Sequence, residues 1–166
     1  MDQIAPAHVD SPFTFKVVAR DKMSNPLAQL NDAALGYETK TVLEHVDFNI
    51  EPGQRVGLLG ANGQGKSTLI KSIVGAIPLK SGERKLGEHT FIGYFAQHQL
   101  ETLSLDNSCF DAIRELSPEA GEQEVRNFLG SFNFTGDRAF EPIRPFSGGE
   151  KTRLALALLV WQKPNL

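Results

Sequence analysis

Gly60-Ala61-Asn62-Gly63-Gln64-Gly65-Lys66-Ser67 decides how this chain is read, because it fits the pattern G-x-x-x-x-G-K-[ST] at every position. Glycines let successive backbone N–H groups turn inward and approach phosphate oxygens closely. The flanks supply the context the pattern needs. Glu51-Pro52-Gly53-Gln54 reads as a turn, and Arg55-Val56-Gly57-Leu58-Leu59 as a short buried strand running into the loop. Beyond it, Leu69, Ile70, Ile73 and Val74 recur at helical spacing over Lys66 to Ala76, closed by Gly75 and Pro78. Strand, glycine loop and helix in that order put an anion at a helix N-terminus. Lys66 then supplies a point charge for β- and γ-phosphates, and the Ser67 hydroxyl suits Mg²⁺.

Working outward, Pro6, Pro12 and Pro26 break any regular pattern in residues 1–26, which read as an extended lead-in. Leu27 to Tyr37 and Thr41 to Ile50 read as two strands, with Val42, Glu44, Val46, Phe48 and Ile50 on one face of the second. Past the loop helix, Lys80-Ser81-Gly82-Glu83 reads as a turn and His89 to Gln97 as a further strand. Between 107 and 133, Phe110, Ile113 and Leu116, then Val125, Phe128 and Leu129, mark two amphipathic helices parted near Ser117-Pro118.

Composition narrows the function classes. With 40% hydrophobic residues in 166, the chain can build a core, and 17 basic against 20 acidic side chains speak against a polybasic nucleic-acid or membrane-surface binder. Cys109 stands alone, which excludes an intrachain disulfide and a cysteine-based zinc site. It reads as a small buried hydrophobe, and the scattered His8, His45, His89 and His98 lack metal-ligand spacing. The longest apolar run, Leu154 to Trp161, is eight residues against the ~20 of a membrane span. No signal peptide is expected at the N-terminus, so a cytoplasmic setting is expected.

A second stretch, Phe146-Ser147-Gly148-Gly149-Glu150-Lys151, precedes an apolar helix over Thr152 to Trp161. Ser147 and Glu150 have the spacing of a capping box, which accounts for both polar residues. Capping does not account for two adjacent glycines, each costing up to ~1 kcal/mol relative to alanine inside a helix. Bare backbone at a helix start suits an anion, so this stretch reads as a second phosphate-facing surface.

These two loops together resemble the ATP-binding cassette (ABC) family, whose Walker A loop is followed, after a helical insertion, by a signature usually written LSGGQ. Here the signature stands as Phe146-Ser147-Gly148-Gly149-Glu150, and the Glu150-Lys151 pair is similar to the F subfamily, soluble two-cassette proteins that act on the ribosome in translation. Ile4 to Asp10 resembles the end of the linker between two such cassettes, and Gly93 to Gln99 resembles the Q-loop. The resemblance implies Mg-ATP as ligand, with Gly60, Ala61, Asn62, Gly63, Gln64, Gly65, Lys66, Ser67 and Thr68 around the phosphates and Tyr37 stacked on adenine. It further implies that Gln97 joins Ser67 at the metal. Ser147, Gly148, Gly149 and Glu150 would face ATP held by a second cassette, docked head to tail.

The implied fold is α/β, a P-loop NTPase of ABC type with an antiparallel β-subdomain, part of a parallel core sheet and a helical subdomain, incomplete at its C-terminus. The expected organisation is a linker end over 1–26 and a partial cassette over 27–166, divided into 27–103, 104–145 and 146–166. The family pattern continues into a Walker B Asp-Glu and a switch histidine, neither of which occurs before Leu166. The expectation is therefore a chain that binds ATP without hydrolysing it by itself. The alternatives are the nucleotide-binding subunit of a transporter, which Glu150-Lys151 and the linker-like start oppose, and a non-functional truncated fragment. Glu101, Asp106 and Asp111 are expected on a solvated face, and Trp161 in the core.

Overall fold

The computed structural model describes residues 15–18, 20–96 and 103–166; Gln97, His8, His98, Glu101 and the linker-like stretch 4–10 lie outside the described residues. The chain divides into two units, one of Val18–Tyr94 with Lys163–Leu166 and one of Met1–Val17 with Phe95–Gln162.

In the first unit, β1 (Ala28–Tyr37) is the middle strand of an antiparallel sheet, between β2 (Lys40–Ile50) and β3 (Ser81–Leu86). The two strands read from sequence around residues 27–50 form as a hairpin closed by Glu38-Thr39. Its register slips between Leu30 and Ala33, between Ala33 and Leu35, and again between Leu35 and Gly36. The first two slips coincide with positive φ at Asp32 (41°) and His45 (53°), where each strand carries an extra residue. The bulges are tied together: His45 Nδ1 and Asp32 Oδ1 lie 2.7 Å apart, and the Asp32 amide donates to Asp47 Oδ1 at 2.8 Å. Because a bulge reverses side-chain alternation, the face expected to start at Val42 and Glu44 is broken. Leu43, Val46, Phe48 and Ile50 pack on the buried Leu30, Ala33 and Leu35 instead, and Glu44 is exposed.

The turn read at Lys80-Ser81-Gly82-Glu83 is instead the beginning of β3, paired Asn31 to Glu83 and Ala34 to Ser81. Gly82 makes this possible. With φ at 80° it lies so close to Asp32 and Ala33 that a Cβ would meet backbone at 2.4 and 2.6 Å. A glycine-containing turn signal and a bulged edge strand are alike in sequence.

Helix α1 (Lys66–Val74) lays Ile73 and Leu69 against this sheet, and Gly75 closes it in the left-handed conformation. The run Arg55–Leu59, expected as a buried strand, forms no ladder; Val56 is 51% and Leu59 97% exposed. An isolated extended segment has nothing to satisfy its peptide groups but water, and no strand among the described residues pairs with it. The strand expected over 89–97 is likewise irregular as far as residue 96. Phe91 exchanges bonds with Asn165, its amide donating to Asn165 Oδ1 at 2.7 Å and its carbonyl accepting from the Asn165 amide at 2.9 Å. The Gly93 amide donates to the Leu166 carbonyl at 2.7 Å.

The second unit is helical: α2 (Cys109–Leu116), α3 (Glu122–Ser131), a 3₁₀ turn (Gly136–Ala139) and α4 (Gly148–Trp161). The two helices read between 107 and 133 are α2 and α3. Ser108 and Asp111 form a capping box at α2, which sets where that helix starts. Ile113, Val125, Leu129, Phe132, Phe134, Ile143 and Leu154 form one buried cluster. Helix α4 is apolar nearly all round and buries Leu154, Ala155, Ala157 and Val160. Trp161 packs as expected, edge-on to Phe128 at 4.9 Å with its indole N–H donating to Ser117 Oγ at 2.9 Å. Cys109 is fully buried, and that burial pushes its thiol up to about 12. Among the described residues no helix is long and apolar enough to cross a membrane.

Candidate functional site

The glycine loop has the backbone its sequence calls for. Gly63 and Gly65 have φ of 83° and 87°, values that side chains resist, and Gly65 is the residue from which α1 springs. Gly65 is also buried against β2, where a Cβ would sit 3.0 Å from Val42 Cγ1 and Leu43 Cγ. The sheet therefore fixes where α1 begins.

That beginning is electrostatically open. No side chain caps α1 and no acidic residue lies in its first turn, whereas α2 and α4 each carry a serine cap and an acidic partner. The orphan amides and the dipole of α1 are therefore answered by no capping or acidic side chain of its own first turn. Lys66 Nζ donates to the carbonyls of Gly60 and Ala61 at 2.6 and 2.7 Å, so the ammonium is held over the loop. Ser67 is exposed on the first turn, while Thr68 is buried behind it. Asn62 and Gln64 are exposed within the loop.

Tyr37 ends β1 opposite Lys40, two residues before Val42, on which Gly65 rests. It is 47% exposed, and Lys80 Nζ donates to its carbonyl at 3.2 Å. A ring so exposed is free to stack on a planar ligand.

The residues present fit a nucleotide with its metal. Among the described residues no group of three or more His, Cys, Asp or Glu could hold a metal alone. Mg²⁺ needs no such cage, since it binds through one or two protein oxygens together with phosphates and water, and the Ser67 hydroxyl that would serve it is exposed beside the open helix end.

In the helical unit, Phe146 is buried and Ser147, Gly148 and Gly149 are exposed at the head of α4. The capping box forms as read: Ser147 Oγ accepts from the Glu150 amide at 3.2 Å, and Glu150 Oε2 accepts from the Ser147 amide at 2.8 Å. A Cβ on Gly148 or Gly149 would meet nothing within 4 Å, and neither has a positive φ. Packing among the described residues therefore gives no reason for either glycine.

Arg138 is a residue the sequence did not point to. Its Nη2 and Nε donate to Glu150 Oε1 at 2.6 and 3.2 Å, its Nη1 donates to Glu141 Oε2 at 2.5 Å, and its guanidinium lies 4.1 Å from the Phe146 ring centroid. Bonds from Arg138 and from the Ser147 amide bring the Glu150 carboxyl from the usual 4.5 down to about 2. The carboxylates Asp106 and Asp111 are engaged too, Asp106 with Arg144 at 2.6 Å and Asp111 in the α2 cap.

A family model described as ABC transporter matches residues 43–166, both loops included. The chain belongs to that family. The ABC chain is 49% identical over all of its 166 residues to "Probable ATP-binding protein YheS" of Escherichia coli K12. It is 34% identical over 98% of its length to "Protein GCN20" of Saccharomyces cerevisiae, and 33% over 88% to "ABC transporter F family member 3" of Arabidopsis thaliana. The F-type resemblance carried by Glu150-Lys151 is thus matched by its relatives. The chain spans only 26%, 22% and 21% of these three proteins, corresponding to the first part of a cassette. In fold, it superposes on cbiO1 of Clostridium perfringens, part of the ABC transporter complex cbiONQ, with a TM-score of 0.59, covering 84% of this chain and 62% of that one at 19% identity. The α/β fold of a P-loop ABC ATPase follows, with a small antiparallel sheet.

Proposed function

We propose that this part of an F-type cassette binds Mg-ATP on the Gly60–Ser67 loop. The observation that carries the reading is the uncapped start of α1, with Gly65 left-handed at its head and Lys66 held over the loop. In this reading Lys66 turns from the Gly60 and Ala61 carbonyls to the β- and γ-phosphates, Ser67 and Gln97 serve Mg²⁺, Thr68 supports the first turn, and Tyr37 stacks on the base. Ser147, Gly148 and Gly149 face the γ-phosphate of ATP on a second cassette, with Glu150 shaping their loop. The family resemblance supports a cytoplasmic protein that works on the ribosome as a cassette pair.

Calorimetry of ATP binding to the chain and to Lys66→Ala tests the first step. Loss of a charged hydrogen bond predicts about tenfold to a hundredfold weaker binding. Equal affinities would remove the assignment.

A further inference from the structure

Two features of the signature stretch are unexplained by a helix cap alone. Its last residue is a glutamate whose carboxylate uses one oxygen for the cap and the other for Arg138. Its first residue, Phe146, is covered on one ring face by the same guanidinium. Arg138 comes from a separate element, the 3₁₀ turn Gly136–Ala139, whose Ala139 is buried in the helical core. That turn is anchored before the signature stretch begins.

We propose that Arg138 is a positioning residue for the loop Phe146–Glu150, clasping it at both ends so that the Ser147, Gly148 and Gly149 backbone keeps one orientation. The argument is geometric. Gly148 and Gly149 have open space where side chains would be, so beyond the carbonyl bonds of the first turn of α4 they gain nothing from packing and depend on their held ends for a single conformation. The front end is held by Phe146, buried and stacked on Phe134 at 5.7 Å between centroids, with Arg138 over the ring. The back end is held by Glu150, which takes the forked guanidinium on one oxygen and the Ser147 amide on the other. A neutral glutamine at 150 has a single oxygen and would have to choose between these partners. Glutamate at this position and arginine at 138 are thus a matched pair, and Arg138 acts through Glu150 and Phe146 without itself touching ligand. Glu141, paired with Arg138 Nη1, adds a second hold on the guanidinium that lies over the ring.

The nucleotide-facing role of this loop is the reading proposed above, on which the functional part of the inference rests. The test therefore separates the two. Amide hydrogen exchange is followed through residues 146–150 of the folded chain in Arg138→Gln, Arg138→Lys, Glu150→Gln and the Arg138→Gln/Glu150→Gln double variant. Urea unfolding of each gives the global stability. Arg138→Gln is expected to speed exchange of the Ser147 and Glu150 amides, the two that donate within the cap, about three- to tenfold, as for a partly exposed charged hydrogen bond, with the α2 and α3 amides unchanged. Lysine, which keeps the charge but not the fork, is expected to restore part of the protection. In the Glu150→Gln background, Arg138→Gln is expected to change little further. Unchanged exchange in the loop, or acceleration spread evenly over the helical unit with a matching loss of stability, would overturn the proposal. ATP turnover of a cassette pair built to carry this chain is then compared for wild type and Arg138→Gln. A lowered kcat at unchanged KM supports positioning of a loop used in catalysis. Loosened exchange with unchanged turnover supports the positioning and overturns the nucleotide-facing reading of the loop.

Discussion

Arg138 Nη2 and Glu150 Oε1 lie 2.6 Å apart, joining a 3₁₀ turn to the third residue of α4 across twelve positions of sequence. The pair also decides how this helix start responds to acid. Glu150 has a folded-state value of about 2 against an ordinary 4.5, chiefly through the bond from Arg138. A carboxyl with a depressed folded value stabilises the fold fully above its unfolded value and loses that contribution as pH falls through the folded one. Stability of the chain is thus expected to decline between about pH 4.5 and 2, and Arg138→Gln to flatten that decline. Urea midpoints at pH 6, 4 and 2.5 check this; parallel curves for the two proteins would show that Arg138 is not the cause.

Gly65 should be intolerant of any side chain. An alanine there must adopt φ near 87° and place its Cβ 3.0 Å from Val42 and Leu43. The expected loss for Gly65→Ala is about 1–3 kcal/mol, read from equilibrium unfolding, with nucleotide affinity falling as the start of α1 shifts.

Gly149 predicts the opposite sign. It has open space and no positive φ, so Gly149→Ala should raise stability by up to about 1 kcal/mol through helix propensity while impairing whatever approaches the bare backbone. Thermal unfolding measures the first effect and ATP turnover of a cassette pair built to carry this chain the second. A destabilised Gly149→Ala would mean the site is packed after all.

Tyr37 is expected to contribute through its ring. If it stacks on the base, Tyr37→Ala costs about 1–3 kcal/mol of ATP affinity and Tyr37→Phe little, with ATP and GTP affected alike. Calorimetry of both variants decides it, because a phenylalanine as weak as the alanine would assign the contribution to the hydroxyl.

Much of the site was legible because its determinants are local. A glycine loop ahead of a helix and a serine three residues before a glutamate are patterns whose physics is confined to one turn of chain, so Gly60–Ser67 and Ser147–Glu150 could be read directly. The two strands of residues 28–50 and the helices α2 and α3 were legible for the same reason, although the bulges at Asp32 and His45 broke the side-chain alternation read for β2.

Amino-acid sequence by itself determined the glycine loop ahead of α1, the capping box of α4, the helices α1 to α4 and the family. Tertiary structure alone decided three things. Gly82 became part of a strand because β1 pairs with Ser81 and Glu83 on either side of it and passes too close to Gly82 for any side chain. Arg55–Leu59 stayed irregular because a strand is completed by its neighbours, and no described strand pairs with it, whatever its apolar content. Arg138 met Glu150 because the packing of Ala139 and Phe146 into one core brings their neighbours together, and no spacing along the chain encodes that encounter.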